Sequence, residues 1–151
     1  MAGGFKKLKG LPILAIGIGA FLLVYWLYTK LFAVSPAQRV ANQETLKASK
    51  VASDTMANGY TYYAFSQEIF NMLYASFFWG FVYSFSLKDT DEEALGRMLQ
   101  TVTKEEFPKL CEVYVLYKRA NAISDENSLV EDLYNTFNAK ERAMYMAHLI
   151  D

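Results

Sequence analysis

Residues 10–29 carry no charged side chain, and no other feature of the sequence restricts the fold so tightly. In helical form twenty residues extend about 30 Å, the thickness of a bilayer's hydrocarbon core. A helix that is apolar on every face must be buried in lipid or in a large core, and 151 residues offer little protein to surround it. The flanks agree with a span. Lys9 stands just outside, Tyr25, Trp26 and Tyr28 gather at the far end, and Lys30 can reach back to headgroups. Trp26, Tyr28 and Lys30 are therefore expected to be interfacial anchors. Pro12 falls in the first turn, where its missing N–H costs little. The run exceeds the apolar core of a signal peptide (about 7–15 residues), and Pro36 follows the cleavage-like Ala33-Val34-Ser35. Ala2 after Met1 excludes N-myristoylation.

Within the run, Ala15 and Gly19 lie four apart on one face, a small-xxx-small spacing that lets a second helix approach closely. Gly17-Ile18-Gly19 is no nucleotide loop, since the third glycine and the preceding strand are missing. Leu14-Ala15-Ile16-Gly17-Ile18-Gly19, behind a lysine-rich amino end, resembles the start of the membrane helix in an animal accessory subunit of mitochondrial complex I. The resemblance covers six residues. The long Arg- and Glu-rich helix that it implies next is missing, so no residue role is carried over.

The net charge of −1 conceals an uneven distribution. Residues 1–56 hold seven basic and two acidic groups, and residues 57–151 hold eight basic and fourteen acidic groups. The basic end is sparse and adjoins the apolar run, which suits anionic lipid headgroups and not nucleic acid. Residues 35–59 read as a polar juxtamembrane helix or linker. Ser35-Pro36 is an N-cap and N1 pair, Ala37, Val40, Ala41, Ala48, Val51 and Ala52 form a thin apolar stripe, and Asn58-Gly59 is a turn.

Residues 60–87 read as an aromatic-rich helix and a candidate second span. Twelve of the chain's twenty-four aromatics fall between residues 60 and 85, and residues 69–87 carry no charge. Asn71, Ser76, Ser84 and Ser86 dilute the hydrophobicity, so a helix lying in the interface or buried in a protein core is the rival reading. Gln67, Glu68 and Asn71 share one side of its first turns, a candidate polar site because ionisable groups at depth are often functional.

Residues 88–151 change character to short amphipathic helices. Acidic residues from Asp89 to Glu93 load the first turn of a helix reaching about Val102. Thr103 and Glu106 have capping-box spacing ahead of a Leu110, Val113, Tyr114, Tyr117 stripe whose start Pro108 delays. Ser124-Asp125 opens a helix carrying Leu129, Val130, Leu133, Tyr134 and Phe137. Asn138 with Glu141 caps a last helix with Ala143, Met146, Ala147 and Ile150. No alternating Val/Ile/Thr run bounded by turns occurs, so no sheet is expected. A helical region of this size has a small core and calls for a partner.

The sequence excludes most chemistry. An apolar fraction of 53% excludes disorder, and one cysteine with one histidine excludes disulfide frameworks and multi-Cys or multi-His metal sites. Asp89-Thr90-Asp91-Glu92-Glu93 lacks the Gly and Glu that a calcium loop needs at its sixth and twelfth positions, where Ala94 and Gln100 stand. Cys111 reads as a core thiol, and His148 has no partner motif. No phosphate loop, nucleophile elbow or zinc spacing is present.

The expectation is thus an all-α membrane protein with an N-terminal transmembrane helix (1–34), a linker (35–59), a candidate second membrane helix (60–87) and a small C-terminal helical region (88–151). Its composition resembles supernumerary subunits of mitochondrial inner-membrane assemblies. That resemblance implies a non-catalytic accessory subunit of a respiratory-chain complex or ATP synthase, with membrane subunits and lipids as partners and no cofactor. A bacterial inner membrane is the alternative location, and a membrane-anchored adaptor recruiting a soluble partner is the alternative function. A quinone- or haem-associated role for Gln67, Glu68, Asn71 or His148 ranks third.

Overall fold

The computed structural model describes residues 19–26, 34–77, 82–85, 89–123 and 127–150. The chain divides into two compact units, Met1–Ser35 and Pro36–Asp151. In the first, residues 19–26 are helical and exposed, Phe21 by 70% and Trp26 by 57%. This corrects the expected amino-terminal span. Among the described residues no helix is long and apolar enough to cross a membrane. Residues 10–18 and 27–29 of the expected span lie outside the described residues.

The second unit is built from helices. Pro36 opens α1 (Pro36–Ala48), as the Ser35-Pro36 pair predicts. Its buried side is not the expected alanine and valine stripe: Val40 is exposed, whereas Arg39 is buried beneath the ring of Tyr83, 6.0 Å from its centroid. Ser49 caps α2 (Lys50–Ser53) by accepting from the Ala52 N–H. Gly59, at φ 86°, supplies the left-handed turn expected at Asn58-Gly59 and brings Thr55 to pair with Thr61. Thr61 then caps α3 (Tyr62–Leu73).

The expected aromatic span ends there. Tyr74 is extended, and the chain enters a two-stranded antiparallel ladder of β1 (Ala75–Phe77) and β2 (Val82–Ser84) with Ser76 opposite Tyr83. The physical reason is that the aromatics find their apolar environment inside this unit. Tyr62, Tyr63, Phe65, Phe70 and Tyr74 are all buried, and Phe70 stacks on Tyr74 at 4.6 Å with Tyr83 and Tyr117 against its edges. A helix of twelve residues followed by a hairpin is no second span. With no membrane-spanning helix among the described residues, the all-α membrane fold and the integral-membrane location, mitochondrial or bacterial, lose the observations on which they stood.

The remaining helices follow their caps. Asp91 caps α4 (Glu92–Leu99), whose first turn carries Glu92 and Glu93 as the expected acidic loading, although the helix stops short of Val102. Thr103 and Glu106 bond each other reciprocally, and α5 (Phe107–Ala120) begins behind them with Pro108 in its first turn. Ser128, not Ser124, caps α6 (Leu129–Thr136), in a box with Glu131. Asn138 and Glu141 box the start of α7 (Ala139–Tyr145), and α8 (Ala147–Ile150) follows. Gly96 is buried, and a Cβ there would meet the Tyr145 ring at 2.5 Å, so only glycine lets α4 approach α7 this closely.

Helix α5 lies at the centre of the core. Leu110 and Val113 are buried, Tyr117 packs against Tyr63 and Phe70 of α3, and Tyr114 and Lys118 meet α6. Leu116 and Ala120 lie on a third side, against α1 and α2.

Candidate functional site

The strongest cluster of chemistry-bearing side chains surrounds Asp132. Its Oδ2 accepts hydrogen bonds from the hydroxyls of Tyr114 at 2.7 Å and Tyr74 at 3.1 Å, and from Lys118 Nζ at 3.1 Å. Lys118 also donates to the Asn127 carbonyl at 2.9 Å, and its ammonium lies 5.4 and 5.6 Å from the centroids of the Tyr74 and Tyr114 rings. Tyr114 and Lys118 are i,i+4 neighbours on α5, and Asp132 stands between Leu129 and Leu133 on the inward side of α6. A lysine, a carboxylate and two phenols form a proton-transfer set in an open cleft. Here none of the four is more than 4% exposed. A buried carboxylate costs several kcal/mol unless it is paired and hydrogen-bonded, and three donors on one oxygen meet that need. The cluster therefore ties α3, α5 and α6 together and offers no atom to a substrate.

A second polar set joins α1, α3 and α5. Gln43 donates to Asn121 Oδ1 at 2.6 Å, and Asn121 returns a bond to the Tyr117 carbonyl at 2.9 Å. Burial pushes the Tyr117 hydroxyl up to about 12, an effect that the nearby Asn121 and Gln67 side chains partly oppose. Gln67 is half-buried, whereas Glu68 and Asn71 are exposed, so the three residues grouped by sequence spacing are not gathered into one site. In the first unit Gly19 is exposed with no atom within 4 Å of a built Cβ, and Trp26 is exposed. Ala15, Tyr28 and Lys30 lie outside the described residues.

Other candidates stand apart from these sets. Cys111 is half-buried, and burial pushes its thiol up to about 11, which leaves little thiolate at neutral pH. His148 is exposed on α8. Among the described residues no group of three or more His, Cys, Asp or Glu side chains is placed to hold a metal ion.

Solvent does reach a groove of about 450 Å³ between α1, α2 and α5. Asn42, Thr45, Leu46 and Ser49 line one wall at the i, i+3, i+4, i+7 spacing of one helical face. Lys50 and Val51 continue that wall into α2, and Leu116 and Ala120, four apart on α5, form the other. Sequence reading missed the groove because it spread Ala41, Ala48 and Val51 over a buried stripe. The indicator available was the pairing of Leu46 with small and polar neighbours one and two turns away.

No known family matches. The comparison with family models finds none that fits the chain, and no curated protein or solved structure is significantly similar to it. Nothing there supports the respiratory-chain or ATP-synthase assignment.

Proposed function

We propose that residues 36–151 form a non-catalytic adaptor that docks a segment of a partner protein along the groove between α1 and α5. The observation that supports this reading is the direction in which the unit turns its polar chemistry. Asp132, Lys118, Tyr74 and Tyr114 are sealed in the core, while the open groove offers Leu46, Val51, Leu116 and Ala120 with a polar rim. Apolar floors with polar rims are the anatomy of protein-docking sites. The accessory-subunit reading and the adaptor reading share this non-catalytic, partner-dependent element, and it does not depend on a membrane span.

The test is a photo-crosslinking residue at exposed Asn42, beside the groove, in the full chain, with Ala143 on α7 as the control position. The adaptor reading expects one crosslinked partner from Asn42, none of it from Ala143, and loss of the product when Thr45→Trp covers the groove. Thr45 is exposed, so this substitution is expected to change stability by no more than about 0.5 kcal/mol. Equal crosslinking from both positions, or a product that survives Thr45→Trp, overturns the reading.

A further inference from the structure

Resting on the adaptor reading, the geometry points to a specific occupant: an amphipathic helix of a partner protein with aliphatic residues on one face and a carboxylate beside them. Three modes of segment recognition can be compared with the walls. Strand addition needs an open sheet edge, and the groove is walled by helices alone. Polyproline docking needs aromatic walls, and no aromatic lines this groove. Helix-in-groove docking needs a trough between two helical ridges, which Asn42, Thr45, Leu46 and Ser49 on one side and Leu116 and Ala120 on the other provide. The α1 wall from residue 42 to residue 49 is about 10 Å long, enough for two turns of a third helix. Ala120 keeps the α5 wall low, so an aliphatic side chain can settle against it.

Charge fixes the sign of the partner. Lys50 is the only charged residue lining the groove. It is exposed and makes no ion pair among the described residues, because the carboxylate that feels its charge, Asp54, is held by Lys109. On α1 the exposed Glu44 and Lys47 offset each other, and on α5 the exposed Glu112 and Arg119 do the same. Lys50 is left to select a carboxylate in the occupant. An exposed pair of this kind is weak singly and screened by salt, so it acts mainly as a discriminator between acidic and basic helices.

The experiment uses the full chain and two fluorescein-labelled, helix-stabilised fourteen-residue peptides (about four turns). Both carry leucines at i, i+4 and i+7, and they differ only in having glutamates or lysines at the flanking positions. At about 0.15 M salt, where the acidic groups elsewhere on the unit are largely screened, the glutamate peptide is expected to bind about two- to fivefold more tightly than the lysine peptide. Lys50→Glu is expected to remove or reverse that preference, and Thr45→Trp to abolish binding of both. Lys50 is exposed, so its substitution leaves the core intact, and an unchanged unfolding midpoint confirms that. Equal binding of the two peptides that Thr45→Trp still blocks overturns the acidic partner and leaves the adaptor reading standing. Saturable binding of neither peptide also overturns this inference, and the adaptor reading then stands or falls on the Asn42 crosslink.

Discussion

Ala122 holds the one positive φ of a non-glycine residue among the described residues, 58°. It does so as the C′ residue of α5, where the Ile123 N–H reaches the Lys118 carbonyl at 3.0 Å and the Ala122 N–H reaches the Arg119 carbonyl at 2.9 Å. This is the Schellman ending, in which the left-handed residue is usually glycine because a Cβ there crowds the carbonyl. The alanine strain costs about 1–2 kcal/mol, and glycine would return about 0.5–1 kcal/mol of that as greater freedom of the unfolded chain. Ala122→Gly is therefore expected to stabilise the protein by about 0.5–1 kcal/mol, read as a higher urea midpoint with an unchanged slope. A lower midpoint would mean that the methyl group of this half-buried residue packs for more than its strain costs. The stop itself was not legible in the sequence, since an alanine among helix formers gives no sign that the chain must turn left-handed.

At the scale of elements, the Asp132 cluster is the joint between α5 and α6. Lys118→Met leaves the Asp132 carboxylate buried without that cation and Asp132→Leu leaves the Lys118 ammonium without that anion, so either substitution alone is expected to cost about 3–5 kcal/mol. The double substitution removes both charges and is expected to cost little more than either single one, with the Tyr74 and Tyr114 hydroxyls left to find other acceptors. Urea unfolding of the four proteins measures this cycle, and simple additivity would show that the two groups do not act as a pair. The joint was half legible. Asp132 interrupts an inward Leu129, Leu133 spacing, which a buried carboxylate does only with a partner, but no pattern in one helix names Lys118 in another. Helix starts were easier to read: Pro36, the acidic first turn of α4, Thr103 with Glu106, and Asn138 with Glu141 all stand where their local chemistry places them. Ser124-Asp125 misled because Ser128 with Glu131 offers the better box four residues later. The hairpin was hidden because Ala75-Ser76-Phe77 and Val82-Tyr83-Ser84 are too short to show alternation. Uncharged aromatic stretches look alike whether lipid or protein buries them, which is how α3 and its hairpin read as a span.

Across the whole unit, the buried phenols and the thiol predict how stability responds to alkali. Burial raises Tyr117 to about 12 and Cys111 to about 11, and it also raises Tyr62 and Tyr63. In the unfolded chain a thiol loses its proton near pH 9 and a tyrosine near pH 10. Between about pH 9 and pH 12 the unfolded state thus holds fewer protons than the folded one, and stability must fall as pH rises. For Tyr117 alone the loss is on the order of 1–2 kcal/mol after allowing for solvent screening. The acid side has the opposite slope, because backbone and side-chain hydrogen bonds from Ser128 lower Glu131, and those from Thr103 and Ala57 lower Glu106. Those carboxylates stabilise the fold above their unfolded pKa, and that contribution disappears as pH falls through their folded values. The expected profile is a plateau through neutrality with a fall at each end. On the alkaline side the thermal midpoint should drop by about 5 °C between about pH 9 and pH 11. Absorbance at the phenolate band provides the matching observation, since part of the tyrosine titration should appear only when the protein unfolds. Tyr117→Phe should flatten the alkaline fall and leave the acid fall in place, whereas an alkaline fall of undiminished size would assign it to other groups.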